Sequence, residues 1–486
     1  MEAIESIISD VSALLWGWPL ILLLVGTHIF LTIRLQFPQR HIFKAIRLTF
    51  SKERGTSGDV SAFSALATAL AATIGTGNLV GVGTAIALGG PGAVFWCWIT
   101  GVLGMATKYS EGLLAVKFRV KTSNGEMLGG PMYALERGLG QKWLAVLFCL
   151  FTALASFGIG NMVQANSVAN LLETDLNIDT TYTGIVIAFL VGLVMIGGVK
   201  SISKVCGLLV PFMAAFYILG CIYILCCNHG HILTAISTIV RSAFDPQSAG
   251  AGFIGGTIIN TIRYGVARGL FSNESGMGSA PIIAAAAKTK NPVRQALVSM
   301  TGTFWDTVII CAMTGIVLVS SLDAHPEMQC EGGVSMMHAA FGTIPVVGPI
   351  VLAVGLFTFA FSTILGWSYY GEKAIEYLGG KKFTIVYRLL FVVATFFGSI
   401  FALNAVWDFA DIMNGLMTIP NLISLILLSG ILVKETRKYL WKPDGLNMSH
   451  NSELDINLLA REKHLKKSKK KEKGIKNEKR QLGGVE

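Results

Sequence analysis

The sequence has little charge for its length. Only 14% of its 486 residues are Asp, Glu, Lys or Arg, whereas about 25% is usual for a soluble globular domain. Apolar residues make up 52% of the chain, and apolar runs of about 20 residues, long enough to cross a bilayer as a helix, recur along it. This composition excludes a soluble enzyme and a disordered chain, and it predicts an all-α polytopic membrane protein.

The sequence also lacks the motifs of covalent and nucleotide chemistry. Only Cys330 among the eight cysteines lies outside an apolar stretch, which excludes a disulfide framework and a paired CxxC metal site. There is no GxxxxGK(S/T), HExxH or GxSxG pattern, and the eight histidines are scattered. We therefore expect no enzyme, no catalytic residue, no cofactor and no metal other than a transported ion.

The apolar runs predict eleven transmembrane helices. The spans are centred in 15–35, 61–88, 92–118, 145–171, 182–199, 205–227, 250–285, 296–320, 345–370, 384–403 and 411–433.

The basic residues predict how these spans are oriented. Of 39 Lys and Arg residues, 20 follow odd-numbered spans and 15 lie in the tail from Lys434, whereas the remaining loops hold only Arg241. The positive-inside rule then places the N-terminus outside and the C-terminus in the cytoplasm of a cell-membrane protein. The basic tail has no aromatic residues in its Lys-rich run, so we expect it to lie near anionic lipid and not to bind nucleic acid.

Two of the predicted spans contain sequences that should break a helix at membrane depth. The second contains ATIGTGNL (72–79), and the seventh, too long for one straight crossing, contains GLFSNESGMGS (269–279). Gly lowers helix preference by about 1 kcal/mol relative to Ala, and irregular backbone survives in a membrane only inside protein or beside a water-filled cavity. Close helix packing through Gly77-x-x-x-Gly81 is the alternative for a single cluster.

The spacing of the two breaks favours a secondary transporter. Spans 2–6 and 7–11 form two sets of five, each beginning with an interrupted helix, and the odd offset gives the sets opposite orientations. At such breaks, free amides at the start of a half-helix suit a carboxylate, and free carbonyls at the end of one suit an ammonium group or Na⁺. An amino-acid zwitterion carries both charges and fits such a site without any charged side chain.

The motifs also resemble those of a known family. Residues 89–99 (GGPGAVFWCWI) are similar to the signature of the alanine/glycine:cation symporter family, the sodium:alanine symporters, with Cys97 where the family usually has Met. Both break sequences resemble that family too, and the resemblance covers about residues 15–440. It implies a leucine-transporter-type five-plus-five inverted repeat with one extra N-terminal helix. It also implies co-transport of a small neutral amino acid with Na⁺.

The resemblance and the spans together predict the organisation of the chain. We expect an extracellular N-terminus, first helix and cytoplasmic linker (1–60), then the first repeat (61–227) and an extracellular loop (228–249). The second repeat (250–433) and the basic cytoplasmic tail (434–486) follow. We expect a monomer whose partners are the amino acid, Na⁺ and the bilayer.

The substrate prediction rests on residues at both breaks and on two neighbouring spans. The predicted substrate-binding residues are Thr76, Gly77, Asn78, Gln164, Phe271, Asn273, Ser275, Gly276 and Trp367. For Gln164 the alternative is hydrogen bonding between helices, as for Asn161 on the same face. For Trp367 the alternative is an anchor at the membrane interface.

The predicted Na⁺ ligands lie in spans 2 and 9. Thr73 and Gly75 close the first half-helix, so their carbonyls are expected to face the ion. In the leucine-transporter fold the helix equivalent to span 9 supplies hydroxyls to Na⁺, which implies Ser362 and Thr363 as ligands. The alternative for these hydroxyls is a bond to their own helix, four residues back.

Several ionisable residues lie within spans, where charge is unfavourable unless paired or facing water. We expect Glu274 to pair with Arg263 or Arg268 and hold the second break in place, with a gate or proton-linked role as the alternative. The residues themselves predict a secondary transporter for a zwitterion, and the family resemblance implies Na⁺-coupled uptake of alanine or glycine. Glutamine or serine as substrate, H⁺ as coupling ion, a passive channel and a transceptor remain the other readings.

Overall fold

A computed structural model describes residues 2–51, 56–122, 125–245, 257–325, 332–401 and 404–449. The chain divides into a large helical unit, Met1–Leu446, and a C-terminal segment, Asn447–Glu486, of which only 447–449 are described. Predictions for residues 246–256 and for most of the basic tail therefore lie outside the described residues.

The large unit consists mainly of α-helices. They are Glu2–Leu15, Trp18–Arg34, Ile42–Thr49, Ala62–Thr73, Val82–Gly89, Gly92–Lys117, Pro131–Tyr133, Lys142–Phe157, Val163–Leu176, Thr180–Ile196, Gly198–Cys227, Ile232–Ser242, Ile258–Asn273, Pro281–Ala284, Pro292–Thr303, Ala312–Ala324, Gly333–Gly342, Val347–Gly379, Phe383–Ile400, Asn404–Leu427 and Ser429–Tyr439. Short 3₁₀ turns cover Pro38–His41, His229–His231 and Gly445–Asn447.

Seven helical stretches of the described chain are long and apolar enough to cross a membrane, and a bent pair makes eight. Large apolar side chains stay exposed on the outside of these helices, for example Leu208 (79% exposed), Leu219 (66%) and Leu389 (65%). Such a surface is unfavourable in water but suits lipid. The chain is therefore a multi-pass helical membrane protein.

The loops contain regular structure that the apolar pattern did not predict. Val120–Lys121 and Met127–Leu128 form a two-stranded antiparallel hairpin, in which Val120 pairs with Leu128. Helix Ile232–Ser242 lies in the loop predicted for 228–249. These elements are too short to register in a search for runs of 20 apolar residues.

Four π-helical segments interrupt the α-helices of the described residues, and three of them lie around the predicted breaks. These three are Gly77–Gly81, Gly158–Met162 and Phe304–Cys311, and the fourth is Ala134–Leu139. A π-bulge widens one turn and redirects side chains, and it is frequent at functional sites. Two of the three segments bring the Asn78 and Asp306 side chains together inside the bundle, and the third supplies the Ile159 carbonyl, which accepts a hydrogen bond from Gln164.

Candidate functional site

The first predicted break is present in the structure. Helix Ala62–Thr73 begins at Ser61, whose side chain accepts a hydrogen bond from the Ser64 amide. It ends at Ile74, which is extended, and Gly77–Gly89 continues at an angle of 57°. We call these two helices the first broken helix.

Polar contacts stabilise the open turn of the first broken helix. The Asn78 side chain folds back, so that its Oδ1 accepts a hydrogen bond from the Gly75 amide at 2.9 Å. The Thr76 amide donates to Oε1 of Gln164 at 3.3 Å, while Gln164 donates to the carbonyl of Ile159. The Thr76 hydroxyl is buried and has no hydrogen-bond partner among the described residues. It is thus a free polar group at the start of a half-helix.

The second predicted break is also present. Helix Ile258–Asn273 ends at Glu274, which has a left-handed φ of 51°, and a short helix, Pro281–Ala284, follows. Gly276 and Gly278 have φ of 92° and 88°, a conformation that L side chains adopt only with strain. We call this pair of helices the second broken helix.

The amides of the second break already have partners within the protein. Glu111 accepts hydrogen bonds from the amides of Gly276 and Gly278 at 3.1 and 3.0 Å. The Ser275 amide donates to Asn273, and the Ser275 hydroxyl contacts Thr303. Ser275 and Gly276 were predicted to bind substrate, but the structure shows that their amides donate to groups within the protein. A carboxylate from Gly92–Lys117 occupies that position.

Asp306 joins the two broken helices. Its Oδ1 accepts a hydrogen bond from the Asn78 side chain at 2.7 Å, and its Oδ2 accepts from the Ser272 hydroxyl at 2.9 Å. Oδ2 also accepts from Thr307 at 2.7 Å, and Asp306 itself is completely buried. Ser272 neighbours Phe271, whose ring would lie 3.1 Å from a Cβ atom added to Gly77. The two breaks are thus side by side, with a carboxylate between them.

Oxygen atoms of spans 2 and 9 converge on one side of the first break. The Thr363 hydroxyl lies 3.1 Å from the carbonyl oxygen of Ala71 and 3.3 Å from that of Ile74. The Ser362 hydroxyl lies 3.2 Å from the same Ala71 oxygen and 2.9 Å from that of Phe359. Two hydroxyls and two carbonyls freed by the break therefore share one buried volume, which suits a hard cation.

The carbonyls that contact the Ser362 and Thr363 hydroxyls are those of Ala71 and Ile74, whereas the predicted ligands of the ion were the carbonyls of Thr73 and Gly75. Sequence reasoning assigned the carbonyls of Thr73 and Gly75, but the Gly75 carbonyl accepts a hydrogen bond from the Asn78 amide. The Thr73 hydroxyl is bonded to its own helix, at the carbonyls of Ala69 and Leu70. The extended conformation of Ile74 turns its own carbonyl towards span 9 instead.

Trp367 lies in the interior, so the alternative of an interfacial anchor is wrong. It is 1% exposed, and its indole nitrogen donates to Oε1 of Glu274 at 3.1 Å. It packs so closely on Gly160 that an added Cβ atom there would come within 2.3 Å of it. Asn161, next to Gly160, donates to the carbonyl of Phe391 and so bonds between helices. Trp367 thus ties span 9 to the second break.

The expected pairing of Glu274 with an arginine is also wrong for the described residues. The Glu274 carboxylate accepts hydrogen bonds from Trp367 and Ser279, and its carbonyl accepts one from Lys108. Arg263 and Arg268 instead lie over the rings of Tyr264 and Phe271. A left-handed turn at Glu274 directs its side chain inward, away from the outer face of its helix.

Sequence reasoning missed Asp306 and Glu111. Both are completely or almost completely buried carboxylates in predicted spans, and rarity of charge in an apolar segment is the signal that marks such residues. Glu274 was predicted on that ground, whereas these two were not. No group of three or more His, Cys, Asp or Glu residues in the described ranges could hold a metal ion.

Comparison with known proteins relates this geometry to one family. The model of the "Sodium:alanine symporter family" matches residues 1–451. "Sodium/alanine symporter AgcS" of Methanococcus maripaludis is 52% identical over 442 residues, covering 89% of this chain and 97% of that protein. "Probable sodium/glutamine symporter GlnT" of Bacillus subtilis is 36% identical over 444 residues, covering 90% and 91%.

Two solved structures share the fold at low sequence identity. MhsT in complex with L-phenylalanine has a TM-score of 0.52 at 14% identity, covering 83% of this chain and 96% of that one. A Na⁺-coupled sialic acid symporter in a substrate-bound, outward-open state has a TM-score of 0.53 at 14% identity, covering 87% and 91%. At this identity their likeness concerns the helical fold alone.

Proposed function

The chain belongs to the sodium:alanine symporter family, and from this premise we propose that it carries a small neutral amino acid into the cell together with Na⁺. Alanine or glycine is the proposed substrate, and no covalent chemistry is needed. Entry of one positive charge contributes about 2.3 kcal/mol per 100 mV of membrane potential, which drives accumulation of a neutral solute.

The observation that carries this proposal is the oxygen cluster beside the first break. The Thr363 hydroxyl lies within 3.3 Å of the carbonyl oxygens of both Ala71 and Ile74, and the Ser362 hydroxyl lies 3.2 Å from that of Ala71. When Na⁺ enters this cluster, the carbonyl oxygens coordinate the ion and no longer accept hydrogen bonds from the two hydroxyl groups. Each hydroxyl then turns a lone pair towards the ion, so four uncharged oxygens hold it without a carboxylate.

The proposed amino-acid site lies next to this cation, between the breaks. In this proposal the substrate carboxylate lies at the start of Gly77–Gly89, the second half of the first broken helix. It is near the Thr76 hydroxyl and the Gly77 amide, with Gln164 beside it. The ammonium group lies near Asp306, which Asn78 and Ser272 already orient by hydrogen bonds. The protein thereby supplies hydrogen-bond donors for the carboxylate of the zwitterion and a hydrogen-bond acceptor for its ammonium group.

Aromatic side chains then limit the size of the substrate side chain. Phe271 lies against Gly77, and Trp367 lies against Gly160 and the second break. Asn273 donates to the carbonyl of its own helix at Gly269, so it is proposed to support the turn and not to contact substrate. Ser275 and Gly276 are proposed to play the same supporting part.

We propose that the eleven predicted spans form two inverted repeats of five after one extra helix. The eight spans counted by length and composition become eleven when Gly92–Lys117, Thr180–Ile196 and Ile258–Asn273 also cross. A count based on length and hydropathy misses these three helices. Thr180–Ile196 and Ile258–Asn273 are short, and buried charged residues lower the mean hydropathy of Gly92–Lys117. The domain boundaries given above, the external N-terminus, the cytoplasmic C-terminus and the monomeric state belong to the same proposal.

Uptake of labelled alanine into proteoliposomes with an inward Na⁺ gradient tests this function. We expect accumulation above the outside concentration, lost when Na⁺ is replaced by K⁺. Competition by each of the twenty amino acids then defines the substrate. The likeness to a glutamine symporter favours glutamine as the second candidate, and preferential competition by glutamine supports it. Na⁺ flux without any amino acid contradicts symport and indicates a channel.

A further inference from the structure

The segments that lead into the first broken helix and out of the second lie against each other. Residues 57–60 precede the first, and residues 285–288 follow the second. Val60 and Ala287 form a parallel β-bridge. The hydrogen bonds run from the amides of Asp59 and Val60 to the Ala286 carbonyl, at 2.8 and 3.2 Å, and from the Lys288 amide to the Val60 carbonyl, at 2.8 Å.

Close approach of the two backbones requires a glycine in this bridge. A Cβ atom added to Gly58 would lie 2.5 Å from the Lys288 nitrogen and 2.6 Å from the carbonyl carbon of Ala287. Backbone atoms cannot move aside as a flexible side chain can. Any larger residue at position 58 therefore separates the two segments.

A single guanidinium group joins both segments. Arg119, only 7% exposed, donates from Nη1 to the carbonyls of Ala285 and Ala287, at 3.1 and 2.9 Å. Its Nη2 donates to the carbonyl of Ser57 at 3.1 Å. Burial lowers the pKa of Arg119 to about 10, and nearby Asp59 opposes that shift, so the group stays charged at neutral pH.

The short hairpin braces this arrangement from outside. Asp59 accepts a hydrogen bond from the Met127 amide at 2.8 Å. The carboxylate of Glu126, the residue before Met127, forms salt bridges with Nζ of Lys373 at 3.4 Å and with Nζ of Lys381 at 2.8 Å. Lys373 belongs to Val347–Gly379, the helix that also carries the hydroxyls of the proposed cation site. A continuous set of contacts therefore runs from that helix to the bridge.

A small internal cavity lies between the two broken helices that the bridge connects. The cavity holds about 10 Å³, roughly the room for one water, and its lining includes Thr73, Lys108 and Ser299. One wall comes from the first broken helix and another from Pro281–Ala284. Both walls continue directly into the bridged segments. Separation of those segments would widen the cavity towards the side that the proposed function assigns to the cytoplasm.

We propose that residues 57–60 and 285–288 form a cytoplasmic latch that closes the inner route to the substrate site, and that Arg119 is the positioning residue that holds it shut. This inference rests on the proposed function for its direction across the membrane. Opening for substrate release requires the Arg119 hydrogen bonds and the β-bridge to break together. Since the latch consists of main-chain and guanidinium contacts, it resets without any covalent change.

Accessibility of a cysteine in the cavity tests the latch. Ser299→Cys is introduced into the full chain in inside-out vesicles, and labelling by a membrane-impermeant maleimide is followed on the peptide that contains position 299. Loss of charge-assisted hydrogen bonds shifts a two-state equilibrium by about tenfold or more, so Arg119→Gln should speed labelling by about that factor. Arg137→Gln, which removes an exposed guanidinium on the same loop, should leave the rate unchanged.

Gly58→Ala tests the latch independently of Arg119, in case Arg119→Gln does not fold. Gly58→Ala should also speed labelling, whereas Gly430→Ala, at an exposed position with open space, should not. Parent-like labelling in either folded latch variant overturns the proposal. Labelling is measured without amino acid or Na⁺ gradient, so a failure of the proposed transport function is seen separately, as absence of alanine uptake by the parent.

Discussion

Thr363→Ala should lower the affinity of the transporter for Na⁺ without abolishing transport. The Thr363 hydroxyl lies near two carbonyl oxygens, those of Ala71 and Ile74, and is the central member of the proposed cation site. Its removal deletes one of four proposed oxygen ligands. A hydrogen bond to a charged group contributes about 1.5–3 kcal/mol, and 1.4 kcal/mol is a factor of ten, so we expect half-saturating Na⁺ to rise roughly 10- to 100-fold.

Alanine uptake into proteoliposomes over a range of Na⁺ concentrations measures this effect. Uptake by Thr363→Ala should approach the parent rate when Na⁺ is saturating, because the substrate contacts remain. Thr358→Ala is the matched control, since this hydroxyl on the same helix bonds only to its own carbonyls at Val354 and Gly355. A half-saturating Na⁺ within twofold of the parent in Thr363→Ala would refute the assignment.

Three further predictions address other parts of the site and the tail. In Gly75→Ala the new methyl group would lie 2.6 Å from Oγ1 of Thr363, so half-saturating Na⁺ should rise about tenfold, whereas Gly81→Ala, with open space, should behave as the parent. Asp306→Asn should raise the KM for alanine at least about tenfold, by loss of a charged partner for the ammonium group, and an unchanged KM excludes it from the site. A chain lacking 450–486 should keep Na⁺-driven uptake but lose salt-sensitive binding to anionic vesicles, and loss of uptake in folded protein contradicts this.

The two breaks were predictable from sequence because they depend on residue type. Clusters of Gly, Thr, Ser and Asn in otherwise apolar spans lower helix stability, and irregular backbone at membrane depth needs a protein environment. The structure has the first break at Ile74 and the second at Glu274. The positions of Ser362 and Thr363 beside the first break were reachable only through the family resemblance.

The partners of the break residues could not be read from the sequence. The cation cluster uses carbonyls of Ala71 and Ile74, and a carbonyl is present at every residue, so residue type gives no signal. The partners of Glu274 depend on one left-handed turn, which directs its side chain to Trp367, 93 positions away. The amides of the second turn looked free because Glu111, which occupies them, lies on another span.

The breaks therefore differ in what they offer. At the second, Glu111 and Asn421 supply the hydrogen bonds, with Asn421 contacting both the Glu111 carboxylate and the Gly276 carbonyl. At the first, the Thr76 hydroxyl has no partner in the described part of the chain, and two carbonyls face hydroxyls. The polar groups named at the second break are thus already hydrogen-bonded within the protein. The first break is the part of the site whose polar groups are available to bind ligands.

The central claim is that an amino acid binds between the two broken helices, next to Na⁺ that is held between the first broken helix and Val347–Gly379. The most direct measurement is ²²Na⁺ entry into proteoliposomes with and without external alanine, for the parent and for Asn78→Ala. We predict that alanine stimulates ²²Na⁺ entry in a fixed ratio to its own uptake, and that Asn78→Ala folds but loses the stimulation. Na⁺ entry that is independent of alanine, or an Asn78→Ala protein that keeps the parent ratio, would contradict the account.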